Sequence, residues 1–310
     1  MLLKDALEVS IQTQWKTDIL ETVWIEVKKD YLNEKYYLDR ANNLPKWRYF
    51  LSDLDWTFYR WFLIKDTFTL FVKYFKELDI DKINLSVYKE FIEDYQLFRK
   101  MEKQAFNKQI EYLKYIYAWL FILFKYASYA NWDIFLFYLK EHFYKHEKVR
   151  WFRFSLNKLK EILENDINFM FVSWSSNFIF DIYLWLLRDY ITNALWVKAA
   201  DKIYGFSSYV NFNQRYVYNL NTEDQKFNFI LKLKELSIFK EIIWGMWDTE
   251  SDYGIANSLN KWKKFYFVNP TCWVIKNHNL KWKEDVDFIF IYESKDLIFQ
   301  YNLWDITVLN

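Results

Sequence analysis

Glycine is nearly missing from this chain, with 3 residues in 310, where an average usage of about 7% leads one to expect about 22. Turns and close backbone approaches that normally depend on a missing Cβ must therefore be built otherwise, or be written here with another residue. Proline occurs only as Pro45 and Pro270, so no Pro/Gly-rich linker marks a domain boundary. A single cysteine, Cys272, excludes an internal disulfide. Histidine is almost as scarce: His142 and His146 stand four apart, at a spacing that could share a helix face, yet no third ligand is near them in sequence. An excess of one charge is also lacking. The 42 Lys and Arg against 41 Asp and Glu leave +1, so no global field draws the chain to nucleic acid or to an anionic membrane. Long apolar runs are missing too. The longest, Tyr115 to Phe124, is far below the roughly 20 residues needed to cross a bilayer and reads as a buried helix. The opening MLLKDALEVS carries Lys4, Asp5 and Glu8 where a secretory segment needs apolar residues, so the expected location is the cytoplasm and no membrane partner is expected.

What the chain has instead is hydrophobic content of 53% and 17 tryptophans, enough apolar matter to bury a sizeable core. The tryptophan excess nearly fills the glycine shortfall. This match suggests that many tryptophans are UGA codons translated as Trp in a gene whose own code reads UGA as glycine.

Periodicity supplies the organisation that linkers do not. Residues 1–45 read as an N-terminal extension with one or two amphipathic helices, through ALEVSIQTQ and ILETVWIEVKKDYL. After Asn42, Asn43 and Pro45, RYFLSDLD reads as a short core strand ending in acidic residues. Residues 61–164 have helical spacing and contain neither glycine nor proline, as expected of an inserted all-helical domain. Residues 165–275 alternate strands (INFMFVS, EIIWGM, KKFYFV) with helices (FIFDIYLWLLRDY and a segment from Lys226). Such alternation predicts an α/β fold whose parallel sheet is covered on both faces, with residues 46–60 and 165–275 forming its core. Residues 276–310 read as two or three further strands of unassigned role.

In such sheets the functional site lies at the carboxyl ends of the strands. Two acidic clusters fall there: Asp53-Leu54-Asp55-Trp56-Thr57 after RYFLS, and Trp247-Asp248 through Asp252 after EIIWGM. Carboxylates gathered at strand ends suit a hard cation such as Mg2+. With Trp56 read as glycine the first cluster becomes DLDGT, which resembles the opening motif of the haloacid dehalogenase superfamily. FVSWSS, with Ser173 and Trp174, resembles the second motif once Trp174 is read as glycine. Lys226 resembles the lysine of the third, and GDTESD, with Trp247 read as glycine, resembles the fourth. The four occur in the family's order over residues 47–275, and Asn269-Pro270-Thr271 is similar to the segment that follows them in the phosphoserine-phosphatase-like subfamily.

The resemblance implies a Rossmann-like core with a helical cap, and a Mg2+-dependent phosphomonoesterase acting on a small phosphorylated metabolite through an aspartyl-phosphate. It gives Asp53 the role of nucleophile and Asp55 that of general acid/base. Ser173, Trp174 and Lys226 would hold the phosphoryl group, and Asp53, Asp55, Asp248 and Asp252 would serve the metal. Arg60 is a candidate for binding a substrate anion. Taken alone, Lys226 equally fits an exposed helix lysine and Ser173 a helix N-cap. An aspartate at position 55 fits phosphatases and phosphomutases rather than dehalogenases, which need no acid for a departing halide. A phosphotransferase of the same fold, or an inactive scaffold that keeps it, stays open at this point.

Overall fold

Strands and helices alternate along the second half of the chain, as the sequence pattern leads one to expect. The structure is a computed structural model and describes residues 1–12, 24–54, 57–58, 70–71, 73–75, 85–107, 112–126, 129, 135–142, 145, 151–194, 197–220, 223–248, 263–269, 286–293, 298–302 and 305–309. The helices are α1 (Leu3–Gln12), α2 (Lys35–Asn42), α3 (Leu85–Phe106), α4 (Tyr112–Tyr126), α5 (Arg153–Glu164), α6 (Asn177–Ala194), α7 (Val197–Ala200) and α8 (Glu223–Glu235). The strands are β1 (Glu26–Lys28), β2 (Trp47–Ser52), β3 (Asn168–Ser176), β4 (Ile203–Asn211), β5 (Tyr216–Tyr218), β6 (Phe239–Trp247), β7 (Lys263–Val268), β8 (Val286–Glu293), β9 (Ile298–Asn302) and β10 (Asp305–Leu309). The chain divides into two compact units. One comprises Met1–Lys28, Phe68–Tyr138 and Val210–Val217, the other Lys29–Thr67, Leu139–Tyr209 and Tyr218–Asn310.

The first unit is mainly helical. Its inserted segment, 68–138, carries α3, α4 and the start of a further helix at 135–142, with no strand among its described residues. Phe71, Phe75, Phe91 and Tyr126 are buried together, with the Phe75 and Phe91 rings stacked at 4.4 Å, so this aromatic stripe is core. Asp94 on α3 is almost fully buried. It accepts hydrogen bonds from the Leu3 amide (2.7 Å), the Tyr126 hydroxyl (2.8 Å) and Lys125 Nζ (3.0 Å), which ties α1 to α3 and α4. Glu26–Lys28 lies in a stretch whose spacing reads as helical, yet it forms a strand. The Glu26 amide donates to Arg215 O at 3.0 Å beside β5, and with Ile25 and Val27 disfavouring helix, backbone pairing overrides a weak helical pattern.

The second unit is an α/β sheet with the strand order β4-β3-β2-β6-β7-β8-β9-β10. From β4 to β8 every pairing is parallel, and β9 and β10 close the far edge in antiparallel hairpin fashion. The strands after residue 276 therefore extend the same sheet. β3 is buried along nearly its whole length and β2 from Tyr49 to Ser52, as expected when helices cover both faces of a parallel sheet. Residues 29–45 belong to this unit: Tyr37 on α2 is fully buried and donates to Ser207 O at 2.8 Å, and Arg40 forks onto both oxygens of Asp181 at 2.7 and 2.8 Å. The chain runs outward from β2 to β3 and β4, then returns to place β6 on the other side of β2. Order reverses between β2 and β6, which is the topological switch point where open α/β sheets form their crevice. Among the described residues, no helix is long and apolar enough to cross a membrane.

Candidate active site

The site grows from the ends of β2 and β6. The last four residues of β2, Tyr49 to Ser52, are buried, and Asp53 follows at 6% exposure. Its amide donates to Met246 O at 3.1 Å, so the end of β2 is bonded to the end of β6, and the residue that follows β6 is Asp248, also buried at 5%. Two carboxylates are thus delivered to neighbouring strand ends at the switch point. This is a consequence of parallel register: Ser52 sits opposite Met246, and each strand releases its acidic residue just past the last paired position.

Lys226, in the first turn of α8, is 2% exposed, and its Nζ lies 3.2 Å from Asp53 Oδ1. It is not an ordinary surface lysine. Removing an ammonium from water costs several kcal/mol unless a charge partner compensates it, and Asp53 is that partner. Thr57, fully buried, donates its hydroxyl to Asp248 Oδ1 at 3.1 Å, which ties the turn after β2 to the acidic end of β6.

Ser173 is fully buried inside β3 and accepts the Ser175 amide at 3.1 Å. It is no helix N-cap, since α6 begins only at Asn177. Ser173 pairs with Ser207, but the next pairing of these strands joins Ser176 to Ser208. Trp174 and Ser175 therefore occupy a bulge, a device that re-aims side chains and backbone at a strand end. Trp174 is half-buried there. Trp247 is fully buried, with its ring stacked on Phe265 at 4.9 Å and 10°.

The structure thus brings together Asp53 with Lys226 and, one strand over, Asp248 with Thr57. Asp55, Trp56, Arg60 and Asp252 lie outside the described residues, as do Pro270 and Thr271. Among the described residues, no group of three or more His, Cys, Asp or Glu is arranged to hold a metal; Asp55 and Asp252, two of the four residues expected to serve one, are not among them. The donor set that is described, two buried carboxylates, is of the hard oxygen type that Mg2+ takes. Thr57 is the site residue to which the sequence pattern assigns no role, although it stands two residues after Asp55 in the acidic cluster. A cleft of about 450 Å³ bordered by Tyr36, Arg40, Arg188 and Tyr204 includes none of these residues.

No protein-family model matches the chain, and no curated protein does. Solved structures do. A protein of unknown function from Bordetella pertussis Tohama I matches with a TM-score of 0.50 at 11% identity, over 77% of this chain and 97% of its own. A HAD family hydrolase from Salmonella enterica serovar Typhi matches at 0.39 and 13% identity, covering 76% of this chain and 67% of the hydrolase. Cytosolic 5'-nucleotidase IIIB bound to cytidine matches at 0.38 and 9%, covering 82% and 83%. At such identities the first likeness is one of α/β fold, and the other two are more distant.

Proposed function

We propose that this chain is a phosphomonoesterase of the haloacid dehalogenase type, acting on a small phosphorylated metabolite. The observation that carries the reading is the buried pair of Asp53 and Lys226, 3.2 Å apart, at the switch-point end of β2 beside Asp248. A buried ion pair is a poor stabilising device, often no better than an apolar pair, so its placement at the crevice favours a chemical role. The four ordered motifs read from the sequence converge on the same residues.

In this reading Asp53 attacks the phosphorus of a bound monoester and forms an aspartyl-phosphate while the ester oxygen departs. Asp55 gives that oxygen its proton and then takes one from the water that hydrolyses the intermediate. Lys226 stabilises the negative charge of the transferring group, and Ser173 donates a hydrogen bond to one of its oxygens. Thr57 orients the Asp248 carboxylate through the bond described above. Mg2+ would be held by Asp53, Asp248 and the Asp55 and Asp252 segments, and would supply charge neutralisation between carboxylates and phosphate. The full chain incubated with an aryl phosphate and Mg2+ should release phosphate, and Asp53→Asn should abolish the release. Turnover that survives in Asp53→Asn would sink the proposal, and transfer between positions on a sugar phosphate without release would point to the phosphotransferase reading.

The same proposal takes tryptophans 56, 174 and 247 as glycines of the native protein. The described residues add one supporting observation. The buried indole N–H of Trp247 has no hydrogen-bond partner among the described residues, a defect costing about 1–3 kcal/mol that glycine would not carry. UGG codons at these positions, or an intact mass of native protein that fits seventeen tryptophans, would rule recoding out.

A further inference from the structure

Glu293 ends β8, outside the span of the motif resemblance, and is the last residue of that strand. Its side chain is fully buried, which is costly for a carboxylate without donors. Its partners include the first two amides of α5, Arg153 N–H at 2.9 Å and Phe154 N–H at 2.8 Å, with the Arg153 guanidinium 3.6 Å from Oε1. The helix has no side-chain cap of its own, since Phe152 fills the N-cap position. A carboxylate brought from β8 thus satisfies the orphan amides and complements the positive end of the helix dipole.

What α5 does with that fixed start links it to the active site. Immediately before the helix, the Phe152 amide donates to Phe58 O at 3.0 Å, and in its first turn the Ser155 hydroxyl donates to Thr57 O at 2.5 Å. Thr57 in turn donates to Asp248 Oδ1. The opposite side of Glu293 is anchored as well: its amide donates to Asn269 Oδ1 at 2.8 Å, and the Asn269 amide donates to Ile291 O at 2.7 Å. Asn269 holds a φ of +46°, a left-handed conformation that asparagine tolerates better than most residues. An unbroken set of hydrogen bonds therefore runs from β8 through the start of α5 to the turn after the nucleophile and on to Asp248.

We infer that Glu293 is a positioning residue for the active site, holding the Thr57–Phe58 turn and hence Asp248 through the N-terminus of α5. The strands after residue 276 thereby become part of the site's scaffold rather than an appendage. The inference rests on the phosphatase reading for its kinetic consequence, but its structural arm does not. In Glu293→Gln one buried oxygen becomes an NH2 that faces an amide donor, so the clamp loosens with almost no change in volume.

In the full chain, Glu293→Gln should lower kcat on an aryl phosphate by about ten- to a hundredfold, the scale of a misplacement remote from the chemistry, with little change in KM and a higher Mg2+ requirement. Native near-UV circular dichroism checks that the variant is folded. Hydrogen exchange supplies the second reading: the amides of Phe152, Arg153 and Phe154 should lose protection in Glu293→Gln while those of β3 keep theirs. Unchanged exchange at these amides overturns the inference whether or not the parent is a phosphatase. Altered exchange with parental kcat and Mg2+ dependence overturns the positioning role. A parent with no turnover defeats the phosphatase reading instead, and the exchange result then decides the clamp by itself.

Discussion

At the scale of single residues, burial and charge decide what an acidic or basic side chain can do. Asp53, Asp248 and Lys226 are all buried, and their residue types and order were readable in the sequence because chemistry demands particular groups at particular strand ends. Their burial was not readable, for that depends on what folds over them. The glycine shortage has its own residue-scale consequence at Gly245. A Cβ built there would lie 2.0 Å from Cζ3 of Trp247, since residues two apart on a strand share a face. Gly245→Ala is therefore expected to cost about 1–3 kcal/mol, as overpacking does, measured by urea denaturation. The cost should vanish when position 247 is also glycine, because the two effects are coupled through direct contact. An equal loss in both backgrounds would show that the indole is not what the new methyl meets.

Elements follow from patterns only where one strong period dominates. The segments INFMFVS, EIIWGM, KKFYFV and VDFIFIYE read as strands and are found as β3, β6, β7 and β8, because parallel strands buried on both faces are continuous apolar runs. β4 escapes such a reading: Gly205, Ser207 and Ser208 interrupt its apolar run, and its pairing with β3 brings it into the sheet. Gly205 is there for packing, since a Cβ would come within 2.3 Å of the Phe180 ring on α6. Between helices the comparable determinant is Asp94. Asp94→Ala would leave the buried Tyr126 hydroxyl and the Leu3 amide without the acceptor described above and remove one of the carboxylates facing Lys125, which also has Glu90 at 3.0 Å. A loss of about 3 kcal/mol is expected, as for a broken buried ion pair, read as a lower urea midpoint. Asp94→Asn, which keeps an acceptor, should lose clearly less, and equal losses would argue against the hydrogen-bond account.

The whole molecule sums such terms into its pH response. Burial pushes the Asp181 carboxyl above the usual carboxylate range, against the opposing pull of Arg40. The folded state then binds that proton more tightly than the unfolded chain, so Asp181's contribution is fully present below the unfolded value of about 3.9. It is lost as pH rises through the folded value. Exposed Asp166 behaves oppositely: its bond to Lys202 lowers its pKa, and its contribution is lost as pH falls. In urea melts from pH 3 to 7, Asp181→Asn should remove the decline on the rising side, seen as a change in slope relative to the parent, whatever the offset from the altered Arg40 contact. Coincident slopes would contradict the assignment. At this scale the division of labour is clear. The α/β class and the acidic strand ends could be read along the chain, because hydrophobic period and the chemistry of carboxylates are local properties. Folding alone buried Lys226 against Asp53, brought β4 into the sheet and set Glu293 at the start of α5. Each of those depends on which distant segments meet, and sequence spacing carries no record of that.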